Sequence, residues 1–218
     1  MKLPIIKKLK KREYSEIAVF QDAIIDLLYN ADNSIVLHGG TVVWRCFSGN
    51  RFSNDIDAYL NKKIDMDNLR RDLESIAEGY NIKIEKTKDT GNLIFIGFSI
   101  GTTYLKVEIN HIPKSLKPIA TRFERVDGTF TDVLTLTPDE LILEKIAAYS
   151  NRRFIRDIYD MYILSSYIQN EKLLKEKLSK FIDNLKEPID EEELKILIYD
   201  GPVPTFKSMI NSIRGRTL

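Results

Sequence analysis

Cysteine is nearly absent: Cys46 is the only one in 218 residues, which excludes an internal disulfide framework and a cysteine-rich zinc site. Its apolar helical context predicts a buried structural thiol and no nucleophile. Histidine is also scarce, with His38 and His111 alone. Neither has a second ligand at metal spacing, and neither is assigned a catalytic role. No apolar run approaches the roughly 20 residues needed to cross a bilayer. The opening MKLPIIKKLKKR lacks the apolar stretch of a secretory signal, so the expectation is a cytoplasmic chain with no membrane partner. An excess of one charge is missing too: 33 basic against 32 acidic residues leave +1, with no global attraction to nucleic acid. The local exception is Lys2, Lys7, Lys8, Lys10, Lys11 and Arg12. With no aromatic interleaved for base stacking, this run reads as a solvated lead-in to the first helix that leaves an RNA partner open.

What is present is concentrated in LHGGTVVWRCFSGNRFSNDIDAYL, residues 37–60. Ser34 to Leu37 read as a short apolar strand, broken by Gly39-Gly40 before TVVWRCF opens a helix. Glycines there let backbone N–H groups approach phosphate oxygens, and a helix N-terminus adds partial positive charge. Further on, Asp55, Asp57 and Tyr59 alternate with Ile56, Ala58 and Leu60, so both carboxylates share one strand face. Residues two apart on a strand lie roughly 6–7 Å apart at Cα, close enough for two carboxylates to converge on a hard cation. Magnesium suits such oxygen donors. A DxD alone equally describes the solvated face of an edge strand. Its weight here comes from the preceding Gly-Gly-Thr, from Arg51 and Ser53, and from the apolar residues anchoring the strand.

These segments resemble the AbiEii/AbiGii-type toxin family of the nucleotidyltransferase superfamily, whose signature runs GGT, RFS, DID. The matching residues are Gly39-Gly40-Thr41, Arg51-Phe52-Ser53 and Asp55-Ile56-Asp57. A second block, LTPDELILEKIAAYSNRRFIRDIYDMYIL, is similar to the family's downstream signature, and two separated blocks in matching order are more specific than either alone. The resemblance implies an α+β polymerase-β-like nucleotidyltransferase core, expected over 1–133, followed by a helical domain over 134–218. It also implies a nucleoside triphosphate substrate, Mg2+ (or Mn2+) as cofactor, an RNA acceptor such as transfer RNA, and a cognate antitoxin as partner.

In the rest of the chain, helical periodicity predicts an amphipathic helix from about Arg12 to Asn30 carrying Ile17, Phe20, Ile24, Leu27 and Leu28. Another runs through Met66, Leu69, Leu73, Ile76 and Ala77 to close at Gly79. Strands are expected near 82–85, 93–100 and 104–110, with a hairpin link at Gly101-Thr102-Thr103. In TYLKVEINH, Lys106, Glu108 and Asn110 face opposite to Leu105, Val107 and Ile109. Glu108 is the candidate third carboxylate: the resemblance to polymerase-like nucleotidyltransferases implies an acid brought from a neighbouring strand to the DxD pair, able to share a metal or accept the proton of an attacking hydroxyl. The plain alternative is an exposed glutamate paired with a lysine. Thr137-Pro138-Asp139-Glu140 has the layout of a capping box opening a helix. Lys145 lies beside that helix's apolar stripe, where a lysine ordinarily extends its ammonium into water. The resemblance instead implies a clamp on the triphosphate. It likewise implies that Arg156 contacts phosphate and that Asp157 orients Lys145 or positions the acceptor, although an aspartate near a helix start also favours the macrodipole. Helices are expected near 171–185 and 191–199 and at the end of the chain.

The reading is therefore a nucleotidyltransferase in which Asp55, Asp57 and Glu108 hold metal. Gly39, Gly40, Thr41, Arg51, Ser53, Lys145 and Arg156 hold the nucleotide, and Asp55, Asp57, Glu108, Lys145 and Asp157 take part in catalysis. The competing readings are a nucleotide-binding module without turnover and a transferase acting on an antibiotic.

Overall fold

The computed structural model describes residues 3–60, 66–90, 93–113, 115–168 and 171–217. Lys2 and the side chain of Met66 lie outside what is described. The chain gathers into two compact units, Met1–Val42 with Ser53–Thr135, and Val43–Phe52 with Leu136–Leu218.

The first unit contains α1 (Ile5–Lys8), α2 (Arg12–Ala31), β1 (Ile35–His38), the start of α3 (Gly39–Cys46), β2 (Ile56–Leu60), α4 (Met66–Gly79), β3 (Lys83–Asp89), β4 (Leu93–Ile100), β5 (Thr103–His111), β6 (Ile119–Glu124) and β7 (Phe130–Thr135). Among the described residues the strands form one mixed sheet in the order β3-β4-β5-β2-β1-β7-β6. This is the mixed α+β architecture that the alternation of helical and strand periods predicts.

Helix α2 buries Phe20, Ile24, Leu27 and Leu28 against α4 and β5, each worth about 2 kcal/mol of apolar burial. Ile17 sits at the edge of that face, half-buried. On the same helix, Asp26 accepts two hydrogen bonds from Arg125, both 2.7 Å, and Asp22 accepts one from the Val126 N–H at 2.9 Å. Helix α4 buries Leu69, Leu73 and Ala77, as its period requires.

Strand β2 is central. It runs antiparallel to β1 and parallel to β5, and its alternation leaves Ile56, Ala58 and Leu60 buried with Asp57 and Tyr59 half-buried. β4 and β5 form the expected hairpin, turning where Gly101 takes φ +57°. The sequence reading assigns no element to residues 112–134, yet β6 and β7 form a second hairpin there. It turns at Asp127-Gly128, where Gly128 has φ +90° and Asp127 accepts from the Thr129 N–H and hydroxyl at 2.8 and 2.6 Å. β7 adds parallel to β1, and the Thr135 hydroxyl donates to the Leu37 carbonyl at 2.7 Å.

The second unit holds the end of α3, then α5 (Pro138–Arg152), α6 (Ile155–Leu164), α7 (Glu171–Asp183), α8 (Glu193–Leu197) and α9 (Phe206–Thr217). The capping box at α5 forms as predicted: the Thr137 hydroxyl accepts from Glu140 N–H at 3.2 Å and the Glu140 carboxylate from Thr137 N–H at 3.0 Å. Helix α6 has no local side-chain cap. Asp190 supplies one from a distance, accepting the Ile155 N–H at 2.7 Å. The segment 43–52 is stitched to the stretch after α8, with Phe52 N–H donating to Leu197 O at 2.8 Å, Tyr199 N–H to Asn50 O at 3.1 Å, and the Trp44 indole to the Tyr199 hydroxyl at 2.9 Å. No described helix is long and apolar enough to cross a membrane.

Candidate active site

In the first unit, pairing across three strands sets His38 opposite Asp57 and Asp57 beside Glu108. These three therefore form one cross-strand row on the polar face of the sheet. The bend after β1 closes against this row. Gly39 has φ +73°, and a Cβ placed there would stand 2.1 Å from Asp57 Oδ2 and 2.9 Å from its Cβ and Cγ. Only glycine combines that conformation with that approach. The glycine bend and the Asp57 carboxylate thus occupy the same place.

Thr41, buried on the first turn of α3, donates its hydroxyl to the Asp55 carbonyl at 2.5 Å, and so ties the glycine turn to the residue that opens the acidic strand. Ser53 is held through its carbonyl, which accepts from the buried Gln21 amide at 2.8 Å. His38 stacks flat on Tyr59, centroids 3.9 Å apart and planes within 6°. Sequence reasoning gave His38 no part. Its place in the row follows from the β1–β2 register, which a single strand's alternation does not reveal.

One cation already sits among these acids. The Lys106 ammonium lies 2.9 Å from Glu108 Oε1 and 3.4 Å from Asp55 Oδ2. Partial burial pulls its pKa down, but the hydrogen bond to Glu108 and the charges of Asp55 and Glu108 prevail and hold it above the ordinary lysine value. The acids are half-exposed, Asp55 at 43% and Glu108 at 31% of the side chain. Carboxylate oxygens are the donors that hard divalent cations prefer, and the lysine shows that the position attracts positive charge. Among the described residues, no three acidic, histidine or cysteine side chains already converge on a single cation position.

The remaining expected site residues belong to the second unit, where Arg51, Lys145 and Asp157 join a buried ion network. Arg51 grips Asp160 with two bonds, Nε to Oδ1 at 2.5 Å and Nη2 to Oδ2 at 2.7 Å, and donates to the Phe52 carbonyl at 3.2 Å. Lys145 Nζ lies 2.7 Å from Asp160 Oδ2 and 4.0 Å from Asp157 Oδ1. Asp157 is itself held by Arg152 through bonds of 2.9 and 2.8 Å. Burial pushes the Asp160 carboxyl up, but the charges and hydrogen bonds of Arg51 and Lys145 prevail and hold it below the ordinary 3.8. Asp160 is the hub of this network, whereas the sequence reading put its weight on Asp157, one turn earlier on the same helix. Arg156 is half-buried and rests over the Phe154 ring at 5.3 Å. Desolvation pushes the half-buried Cys46 thiol up to about 12, which suits an inert structural thiol.

No curated protein matches significantly. Among solved structures, JHP933 from Helicobacter pylori shares the fold, with TM-score 0.62 and 19% identity over 93% of this chain and 91% of that one. The nucleotidyltransferase toxin MenT4 from Mycobacterium tuberculosis H37Rv does so with TM-score 0.61 and 19% identity over 95% and 84%. The family described as nucleotidyl transferase AbiEii toxin, type IV toxin-antitoxin system, matches residues 26–210, a span holding the glycine bend, the acidic row and the buried ion network. The chain belongs to the AbiEii family of nucleotidyl transferase toxins.

Proposed function

We propose that this nucleotidyltransferase moves a nucleotidyl group from a nucleoside triphosphate to an RNA acceptor such as transfer RNA, in the cytoplasm and under the control of a cognate antitoxin. The observation that carries the reading is the contact between the Gly39 bend and Asp57, which brings phosphate-binding backbone and acidic side chains to one point. The N–H groups of Gly40 and Thr41, at the start of α3, hold phosphate oxygens at the positive end of the helix. Asp55, Asp57 and Glu108 hold Mg2+ or Mn2+. That ion, when bound, neutralises phosphate charge and aligns the attacking and departing oxygens.

The acceptor hydroxyl oxygen forms a bond to the α-phosphorus as the bond from that phosphorus to the pyrophosphate oxygen breaks. Glu108 takes the hydroxyl proton at its carboxylate, and pyrophosphate leaves with the bonding electrons. Ser53 and Thr41 fix the acidic strand's entrance through the hydrogen bonds already described.

For Arg51, Lys145, Arg156 and Asp157 the family resemblance implies phosphate contact or acceptor positioning. The pairing of Arg51 and Lys145 on Asp160 favours a second role, holding the segment 43–52 to α5 and α6. A screen of the four α-labelled triphosphates against total cellular RNA with Mg2+ tests the proposal. Label in RNA with release of pyrophosphate is the expected result. Transfer to a small molecule alone would point to an antibiotic-type acceptor, and nucleotide binding with no transfer to any acceptor would make the chain a binding module.

A further inference from the structure

Lys106 is the group near the acidic row that the transfer chemistry leaves unexplained. It projects from β5 two residues before Glu108, on the same face, and bridges Glu108 to Asp55, which opens the neighbouring strand. A lysine whose only task was to extend into water would not lie between two carboxylates of a metal site. Nor is the bridge a buried structural pair: Lys106 keeps 32% of its side chain exposed, so water can replace its bonds at small cost. Two anionic groups, one ammonium and access to solvent make an exchangeable cation position.

We propose that Lys106 is the resident counter-ion of the acidic row, competing with the divalent metal for Asp55 and Glu108, and that metal arrival releases its ammonium toward the phosphates of the incoming nucleotide. This rests on the metal-site reading above and adds to it an order of events. Without metal, Lys106 lowers the mutual repulsion of Asp55 and Glu108 and keeps the site formed. With metal, that task ends, and the same charge is free for an anion. Metal affinity is thus held down in the absence of nucleotide, and the triphosphate, by accepting the displaced ammonium, restores it. The coupling is reciprocal by linkage.

The test measures free Mn2+ by its paramagnetic resonance signal, without nucleotide, for the parent protein, Lys106→Met, Lys106→Arg and Asp57→Asn. Removal of the competing charge is expected to tighten Mn2+ binding by about two- to fivefold in Lys106→Met, the scale of an exposed ion pair. Lys106→Arg should stay near the parent value. In the same proteins, Lys106→Met should weaken binding of a non-hydrolysable triphosphate in the presence of Mg2+. Opposite signs for metal and nucleotide are the signature, and loss of fold cannot produce them. Unchanged or weaker Mn2+ binding in Lys106→Met, with binding in the parent intact and lost in Asp57→Asn, overturns the counter-ion role and leaves the metal site standing. Mn2+ binding that Asp57→Asn does not alter, or that is missing from every protein, overturns the metal site and this inference with it.

Discussion

Two charge clusters among the described residues each set a lysine between carboxylates or beside one, and they are opposite in physical character. In the first unit, Asp55, Glu108 and Lys106 meet at a half-exposed sheet face through one short and one long contact. In the second, Asp160 has no exposed side-chain surface and is held by Arg51 in a two-bond fork and by Lys145. Water screens the first cluster and can substitute for any partner in it, so its net worth to the fold is small and its members can exchange ligands. Desolvation makes the second an all-or-none arrangement: each charge is tolerable only while its partners remain. This difference in solvent access favours the proposed reading of the first cluster as an exchangeable site and of the second as a fastener for its own unit.

The sharpest way to break this comparison is Asp57→Asn, which should reduce nucleotidyl transfer roughly 10³-fold while the thermal midpoint barely moves. Activity and melting measured on one preparation check both halves, and retained turnover would remove the acidic row from the mechanism. The converse is Asp160→Asn, which leaves Arg51 and Lys145 buried without their anion and should cost roughly 3–5 kcal/mol in urea unfolding. Because Asp160 titrates below the ordinary aspartate value, its contribution is complete above about pH 4 and is lost as pH falls through the depressed folded value. Asp160→Asn should therefore flatten the acid limb of the stability curve. Replacing Arg51, Lys145 and Asp160 together with apolar residues should recover much of the loss.

Between these extremes stands Gly39→Ala. Its Cβ would meet Asp57 Oδ2 at a backbone angle that L-residues rarely adopt, so a loss of about 1–3 kcal/mol is expected, together with a disproportionate fall in transfer. Equal loss of both would make the glycine a matter of folding alone. The smallest effect belongs to Thr137→Ala, which removes one half of the α5 capping box for about 1 kcal/mol and should leave transfer untouched.

Local chemistry made much of this readable in the sequence. The capping box marked the start of α5, the alternation of DIDAYL marked β2, and the apolar run LIFIGFSI marked β4 at its observed limits. The hairpin of β6 and β7 was not read. Its strands carry Thr121, Arg122, Thr131 and Asp132 among their apolar residues, although Asp127-Gly128 is a turn signal lying in plain view. Pairings over long separations were out of reach for the same reason: periodicity reports which face a residue occupies and not which neighbour it meets. His38 beside Asp57, and Arg51 on an aspartate 109 positions later, are both of that kind.

The parallel pairing of β2 with β5 has a consequence for when the chemistry becomes possible. Asp57 finds Glu108 only after the helix α4 and two further strands have been made, a long separation that also slows assembly. A chain still on the ribosome and halted short of β5 carries the glycine bend and both aspartates but has no third carboxylate, no Lys106, and no adjoining strand to set their spacing. On the proposed mechanism, half-made protein is therefore expected to be inert, because the acidic row is completed only as distant stretches of the polypeptide close on it.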